Sequence, residues 1–180
     1  MSVDIIHILG ASGSGTTTLG QALEQKYGYK WLDTDHYFWQ PTNPPYIQPR
    51  SREERVTLLT ADLEKYSKCV VSGSLCVWGD TFIPRFDVVV FIDTPTDIRI
   101  ERLKKREYER FGERICKGGD MYEEHIGFIE WAKNYDTMKP PKRCRILHEE
   151  WIKQITCPVI RLSGTDTSEQ HLSQLKKYLM

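Results

Sequence analysis

The amino-acid sequence predicts an α/β fold in which helices cover a parallel sheet. Short runs of apolar, mostly β-branched residues alternate with amphipathic segments along the chain. This alternation is typical of parallel sheets, because each crossover between parallel strands needs room for a helix. The chain also opens with an apolar run at residues 4–9, a glycine-rich loop at 10–15 and a helical pattern from Thr16. With 180 residues, of which 39% are hydrophobic, we expect residues 1–180 to form a single domain.

Each predicted element follows from a local pattern. Strands are predicted at five apolar runs, which are residues 4–9, Lys30–Asp33, Cys69–Ser72, 87–93 and 158–162. Helices are predicted from Thr16 to a stop at Gly28, behind the capping box of Ser51 and Glu54, over 96–110, over 120–135, in a segment ending near 155, and over Ser168–Leu179. Residues 37–50, rich in aromatics and prolines, and residues 112–155 are too long for ordinary connections. Such segments usually form lids or binding elements.

The overall composition excludes several classes of protein. Lys plus Arg (25) equals Asp plus Glu (25), so the net charge is +0 and a global electrostatic grip on nucleic acid is not expected. No segment approaches the ~20 apolar residues of a membrane span, and the start lacks the pattern of a secretory signal. The five cysteines include no C-x-x-C pair, which favours reduced thiols over disulfides or zinc. We therefore expect a cytoplasmic monomer or homodimer without nucleic-acid or membrane partners.

The strongest motif is the loop after the first strand. Residues 10–17, Gly-Ala-Ser-Gly-Ser-Gly-Thr-Thr, match G-x-x-x-x-G-K-[ST] except at the lysine. Glycines let backbone N–H groups point at phosphate oxygens, and the helix behind them adds its positive end. Thr17 would supply the hydroxyl for Mg²⁺, and a Gly/Ser-rich surface turn is the competing interpretation. The predicted nucleotide contacts are Gly10, Ser12, Gly13, Ser14, Gly15, Thr16, Thr17 and Thr18.

Thr16 stands where a lysine would bridge the β- and γ-phosphates, and it brings no charge. Either the site binds nucleotide without transferring phosphate, or another cation replaces the lysine. Arg99, Arg102, Arg106 and Arg110 are three or four residues apart and share one helix face. We predict that Arg99 binds the nucleotide and that Arg102 and Arg106 act in catalysis. A solvated face of charge pairs is the alternative.

Two aspartates follow the second predicted strand. The carboxyl ends of parallel strands line the ligand crevice, so Asp33 and Asp35 should face the phosphate loop. We predict that Asp35 accepts a proton from the acceptor hydroxyl or orients it, and that Asp33 contacts Mg²⁺ and the acceptor. An Asx turn is the alternative, although it would need one aspartate only.

Further residues indicate where the acceptor binds. Trp39 belongs to an aromatic segment that could stack on a flat acceptor or could simply pack the flap. Arg52 and Arg55 lie on the first turn of the capped helix, where the helix dipole favours an acceptor phosphate.

These motifs give the chain a resemblance to the P-loop small-molecule kinases, the superfamily of adenylate, cytidylate and shikimate kinases. Residues 10–17, the Asp33-Thr34-Asp35 pair, the turn at 71–74 and Arg102-x-x-x-Arg106 carry it. The resemblance implies a three-layer fold with a five-stranded parallel sheet in the order 2-3-1-4-5, a flap near 37–66 that binds the acceptor, and a lid near 108–140. It also implies ATP and Mg²⁺ as cofactors and an adenine bordered by residues 164–166. Thr16 departs from nearly all these kinases, although some archaeal-type cytidylate kinases resemble the chain in having Gly-Thr-Thr-Thr here.

The sequence therefore predicts an adenylate-kinase-like phosphotransferase that uses ATP and Mg²⁺ and acts on a nucleotide, nucleoside or similar small metabolite. Two alternatives remain at this point. One is a nucleotide-binding regulatory protein that has lost transfer chemistry with its lysine, and the other is a slow ATPase.

Overall fold

A five-stranded parallel sheet forms the centre of the computed structural model, which describes residues 3–179. The strands are β1 (Ile5–Gly10), β2 (Lys30–Asp33), β3 (Cys69–Ser72), β4 (Val88–Asp93) and β5 (Val159–Ser163). Their order is β2-β3-β1-β4-β5, and every neighbouring pair runs parallel. The predicted fold class and strand order are therefore confirmed.

Seven α-helices connect or flank these strands within the described residues. They are α1 (Thr16–Tyr27), α2 (Thr34–Phe38), α3 (Arg52–Lys65), α4 (Thr96–Phe111), α5 (Tyr122–Lys133), α6 (Arg145–Ile152) and α7 (Ser168–Leu179). Three 3₁₀ turns lie at Asp80–Arg85, Gly112–Ile115 and Asn134–Asp136. The helix predicted at 120–135 thus begins two residues later and ends in a 3₁₀ turn. Helix α2 was not predicted, because five residues are too few to show a helical period.

The strands alternate their side chains between two apolar layers, as expected of a sheet covered on both faces. On one face, Ile6 and Ile8 of β1 pack against Leu19 and Leu23 of α1, and α7 joins the same cluster. On the other face, β-strand residues pack against helices α3 and α6. A third, smaller cluster joins α4 to α5. The result is a helix–sheet–helix arrangement with α4 and α5 beyond it.

Helix α3 begins and is buried as its sequence predicts. Ser51 Oγ accepts the N–H of Glu54 (3.2 Å), and a Glu54 carboxylate oxygen accepts the N–H of Ser51 (2.8 Å). Leu59 and Leu63 are buried against the sheet. Full burial of a leucine side chain contributes about 1.5–3 kcal/mol, so these contacts fix the helix more firmly than its cap does.

No helix among residues 3–179 combines the length and the apolar character needed to cross a membrane. The five cysteines are free thiols, and Cys69, Cys76 and Cys144 are buried.

One polar residue lies inside the apolar layer between the sheet and α6. His7 of β1 is fully buried, and its ring stacks on Phe86 with centroids 5.0 Å apart. Its Nδ1 lies 3.1 Å from the carbonyl oxygen of Val71, whereas Nε2 has no hydrogen-bond partner within the described part of the chain. Burial lowers the pKa of His7 to about 4, so the ring is neutral in the folded protein at neutral pH.

We therefore expect the protein to lose stability on mild acidification. Between pH 6.5 and 4, His7 binds a proton in the unfolded chain but stays neutral in the folded chain. The contribution of His7 to the free energy of unfolding should therefore be fully present above pH 6.5. Below that pH it should fall by up to about 1.4 kcal/mol per pH unit for this histidine. The His7→Phe variant keeps a flat ring but has no proton to take up. Urea unfolding at pH 7, 6 and 5 gives the free energy of unfolding at each pH. This free energy should fall less steeply with decreasing pH in the variant than in the wild type, and an equal fall in both would contradict the assignment.

Candidate functional site

The carboxyl ends of β1, β2 and β3 open into a cavity of about 850 Å³. Its floor is the phosphate loop, represented by Gly10, Ala11, Ser12, Gly13, Thr16 and Thr17. Its walls come from the turns after β2 and β3, from α3, α4 and α5, and from the segment before α6. Parts of the chain that are far apart in sequence thus face one space.

The backbone of the phosphate loop is shaped to receive an anion. Gly13 and Gly15 have positive φ (+81° and +106°), a conformation that other residues rarely adopt. A Cβ on Gly13 would lie 2.7 Å from the carbonyl oxygen of Arg99, so the loop also presses closely on α4. The Ser14 hydroxyl is buried and has no hydrogen-bond partner among residues 3–179.

Helix α1 begins at this loop, and no side chain caps its first turn. Gly15 provides no capping side chain, and the first turn holds no acidic residue. The first backbone N–H groups of α1 therefore have no acceptor within the helix and point their partial positive charge at the cavity. The shape of the loop fits a polyphosphate. Thr18 is exposed and lies outside the cavity lining, so its predicted nucleotide contact would have to be made from the surface.

The prediction that Arg99 binds the nucleotide is wrong. Arg99 is 1% exposed, and its guanidinium is used by the protein itself. Its Nε donates to the Thr94 carbonyl (3.1 Å) and its Nη1 to the Ala132 carbonyl (3.0 Å). Nη2 donates to the Thr96 hydroxyl (2.8 Å) and to the carboxylate of Asp136 (3.0 Å). Arg99 therefore holds the beginning of α4 to the segment after α5.

The other three arginines of α4 differ in whether their side chains line the cavity. Arg102, predicted to be catalytic, is exposed and does not line the cavity. Arg106 and Arg110 do line it. The Arg106 guanidinium also contacts the buried carboxylate of Glu107, with Nη2–Oε1 at 3.0 Å, so part of its charge is already neutralised. Of the two predicted catalytic arginines, the structure brings only Arg106 to the cavity.

A cation that the sequence did not reveal reaches the phosphate loop. Arg143 Nη2 donates to Ser12 Oγ (3.1 Å), and the guanidinium lies 4.7 Å from the ring centroid of Trp131. Burial lowers the pKa of Arg143, and the charge of Asp35 acts in the opposite direction. The only signal in the sequence is a basic pair after the prolines at 140–141, and such a pair does not indicate which part of the fold it contacts.

The chain around Arg143 is held by an ion-pair network centred on Asp136. One oxygen of Asp136 contacts Arg99 (3.0 Å), and the other contacts Arg145 Nε (2.6 Å). Arg145 Nη2 also pairs with Asp93 at the end of β4 (2.6 Å). Burial alone would raise the pKa of Asp136, but hydrogen bonds from Thr96 and Arg145 and the charges of both arginines hold it below its usual range.

A second buried network joins the segment after α5 to the turn after β3. The Tyr135 hydroxyl lies 2.7 Å from His148 Nδ1, and His148 Nε2 lies 3.0 Å from the Ser74 hydroxyl. Burial, followed by the nearby charge of Arg143, lowers the pKa of His148 to about 3. The ring is therefore neutral and fixes Ser74, which lines the cavity.

Asp33 and Asp35 both line the cavity, and Asp33 also shapes the turn. Asp33 Oδ1 accepts the N–H of Asp35 (3.0 Å) and caps α2. Burial and the charge of Asp35 raise the pKa of Asp33. Within residues 3–179, no group of three His, Cys, Asp or Glu side chains could hold a metal ion alone. Thr17 and Asp33 instead match Mg²⁺ that is bound partly by phosphates, because Mg²⁺ usually takes one or two carboxylates beside substrate phosphates.

The far wall of the cavity is aromatic and carries arginines. Trp39, Arg52 and Arg55 all line it. The Arg55 guanidinium lies 3.6 Å from the ring centroid of Phe38, and its buried Nε has no hydrogen-bond partner in the described part of the chain. Neither Arg52 nor Arg55 forms an ion pair with any residue between 3 and 179. This wall fits a flat molecule with an anionic group.

Comparison with known proteins identifies the family. The family described as AAA domain matches residues 6–126, well over half of the chain. The chain belongs to this P-loop family. It is also 41% identical over 174 residues to the Bacillus subtilis protein described as uncharacterized protein YqaC, covering 97% of this chain and 96% of that one.

Kinases of small molecules are among its relatives. Shikimate kinase 2 from Yersinia enterocolitica is 28% identical over 54% of this chain and 62% of its own length. Cytidylate kinase from Pyrococcus abyssi is 28% identical over 57% of this chain and 61% of its own. The crystal structure of shikimate kinase from Bacteroides thetaiotaomicron shares the fold, with a TM-score of 0.58, 18% identity and 99% coverage of both chains. The predicted resemblance to P-loop small-molecule kinases, with Thr16 in place of the lysine, is confirmed.

The Asp136 network allows a test of what holds the site together. Asp136→Ala would leave Arg99 buried without its carboxylate. Breaking a buried ion pair costs about 3–5 kcal/mol, and because Asp136 is about a third exposed we expect a loss of about 2–3 kcal/mol in the free energy of unfolding.

The matched control is Glu150→Ala, which removes the carboxylate of an exposed pair with Lys153. This change should cost less than about 1 kcal/mol. Denaturant unfolding of both variants gives the comparison, and similar losses would show that the Asp136 pairs are ordinary surface contacts.

Proposed function

We propose that the protein is an ATP- and Mg²⁺-dependent phosphotransferase that moves the γ-phosphate to a small acceptor bound in the 850 Å³ cavity. One observation carries the proposal: the phosphate loop, the aspartate pair and the wall of aromatics and arginines all line this one cavity. Donor and acceptor could therefore be held next to each other, and such positioning is a main part of the catalysis of phosphoryl transfer.

The donor half of the site rests on the loop and two neighbouring turns. Backbone N–H groups of residues 10–17 would hold the phosphates, and Thr17 and Asp33 would hold Mg²⁺. When bound, Mg²⁺ would neutralise charge on the phosphates and keep them in line for transfer. The Gly164 N–H donates to the Asp93 carbonyl (2.6 Å), and a Cβ on Gly164 would lie 3.0 Å from the Ser14 carbonyl oxygen. Residues 164–166 thus lie against the loop, where we expect the adenine.

In the transfer step, Asp35 would act as the proton acceptor. An acceptor oxygen would form a new bond to the γ-phosphorus while the bond to the β,γ-bridging oxygen breaks, and its electron pair leaves with ADP. If the acceptor is a hydroxyl, its proton would pass to the Asp35 carboxylate. Arg106, at the cavity wall, would stabilise negative charge on the transferring group.

The acceptor half lies between two movable parts of the proposed single domain, a flap near residues 37–66 and a lid near 108–140. Arg114 Nη2 contacts the side chain of Asn43 (3.2 Å) and so joins the lid to the flap. Arg52, Arg55 and Trp39 would bind a nucleotide, nucleoside or similar metabolite. The names of the relatives, among them shikimate kinase and cytidylate kinase, support a small acceptor. The cysteine pattern, which favours reduced thiols, supports action in the cytoplasm.

Transfer from γ-labelled ATP to a panel of acceptors tests the proposal. A labelled acceptor is the expected outcome. Labelled inorganic phosphate alone would indicate a slow ATPase. Bound ATP with neither product would indicate a nucleotide-binding regulatory protein.

Nucleotide binding at the loop has its own test. With ATP and Mg²⁺ at a hundredfold excess over the dissociation constant, the fold should gain about 2.7 kcal/mol. Gly15→Ala forces a side chain into φ +106° and should turn the N–H groups away from the phosphates, which removes this gain.

Gly28→Ala is the matched control, because Gly28 also has positive φ (+72°) and ends the same helix α1 far from the loop. Both variants should melt earlier without ligand, but only Gly15→Ala should lose the thermal shift caused by ATP. An unchanged shift in Gly15→Ala would place the nucleotide elsewhere.

Asp35 should matter more to transfer than to folding, because its side chain makes no hydrogen bond that holds the described structure together. Asp35→Asn should keep the melting temperature and lower the transfer rate by about 10²–10⁴-fold, as expected for a lost general base. Full activity in Asp35→Asn together with inactive Asp33→Asn would reverse the roles given to the pair.

A further inference from the structure

The phosphate loop has Thr16 at the position where a lysine would bring a fixed positive charge to the β- and γ-phosphates. Backbone N–H groups supply partial charges only. Among residues 3–179, the one Lys or Arg side chain that hydrogen-bonds to any of residues 10–17 is Arg143, through Ser12 (3.1 Å).

We propose that Arg143 supplies this missing charge by binding the terminal phosphate of a nucleoside triphosphate held in the loop. The inference rests on the proposed function only in that a triphosphate occupies the loop. It does not require that the phosphate be transferred.

The contacts of Arg143 leave its charge free for a ligand. Its described partners are the neutral hydroxyl of Ser12 and the face of Trp131. The charge of Asp35 also acts on it, but no carboxylate among residues 3–179 lies within ion-pair distance of it. A phosphate oxygen would convert a neutral hydrogen bond into a charge-assisted one, which is roughly twice as strong. Arg106, the other predicted stand-in, differs because Glu107 already takes part of its charge.

Arg143 is also held in place before any ligand arrives. The next residue, Cys144, is fully buried at the N-cap position of α6, and Arg145 pairs with both Asp93 and Asp136 (2.6 Å to each). Little chain entropy is therefore lost when the guanidinium contacts a phosphate. Its five N–H donors can serve Ser12 and a phosphate together, which a lysine could do less well.

The test compares the dissociation constants of ATP and ADP, each with Mg²⁺, by titration calorimetry. Because the contact is to the terminal phosphate of the triphosphate, Arg143→Ala should weaken ATP binding about 10- to 100-fold and ADP binding by less than ~3-fold. Arg143→Gln, which keeps a donor for Ser12 but has no charge, should behave like the alanine variant. It also serves if Arg143→Ala does not fold.

Lys142→Ala is the matched control, because it removes one exposed positive charge from the neighbouring position and should leave both constants unchanged. Adding Thr16→Lys to Arg143→Ala should restore tighter binding of ATP than of ADP. An equal loss of ATP and ADP affinity, or no loss of either, in the Arg143 variants would overturn the inference and leave the proposed function standing. Absence of ATP and ADP binding to the wild-type protein would overturn both.

Discussion

The carboxylate of Asp136 is the contact on which the candidate site depends. It lies between Arg99, which is almost completely buried, and Arg145, which reaches on to Asp93 at the end of β4. Leaving a buried guanidinium without its counter-charge costs several kcal/mol, so Asp136 is the residue that stabilises Arg99 beneath α5. The same carboxylate thus ties the start of α4, the end of the lid segment and the start of α6 to the edge of the sheet. The position of Arg143, two residues before Arg145, follows from that tie.

The strands and helices could be predicted from the sequence because their signals are local, whereas the strand order came from the resemblance to P-loop kinases. The runs that form β2 and β3, and helix α7, have the predicted bounds, since strand propensity, caps and the glycine stop at Gly28 act within a few residues. The phosphate loop and the Asp33–Asp35 pair were found for the same reason: a loop at the end of a parallel strand has only one edge of the sheet to face.

The arginine face of α4 shows where such reasoning ends. Spacing of three and four residues places side chains on one side of a helix, but it does not say what lies opposite each turn. The first turn meets α5 and the segment after it, so Arg99 is buried, while Arg106 and Arg110, one and two turns beyond the exposed Arg102, reach the cavity. Arg143 was missed because its partner Ser12 is 131 residues away in the chain, and a local sequence pattern cannot predict a contact between such distant residues.

A cation that lies just after the proposed lid, as Arg143 does, would have consequences that a lysine on α1 would not have. A lysine at position 16 would belong to the loop itself and keep its charge beside the phosphates in every state of the lid. Arg143 keeps its place through Arg145 and Asp136, and the same stretch is joined to the turn after β3 by Tyr135, His148 and Ser74. Any movement that breaks these contacts also withdraws the charge from the loop. If Arg143 binds the terminal phosphate as proposed, that binding and closure of this stretch over the cavity stabilise each other by the same free energy.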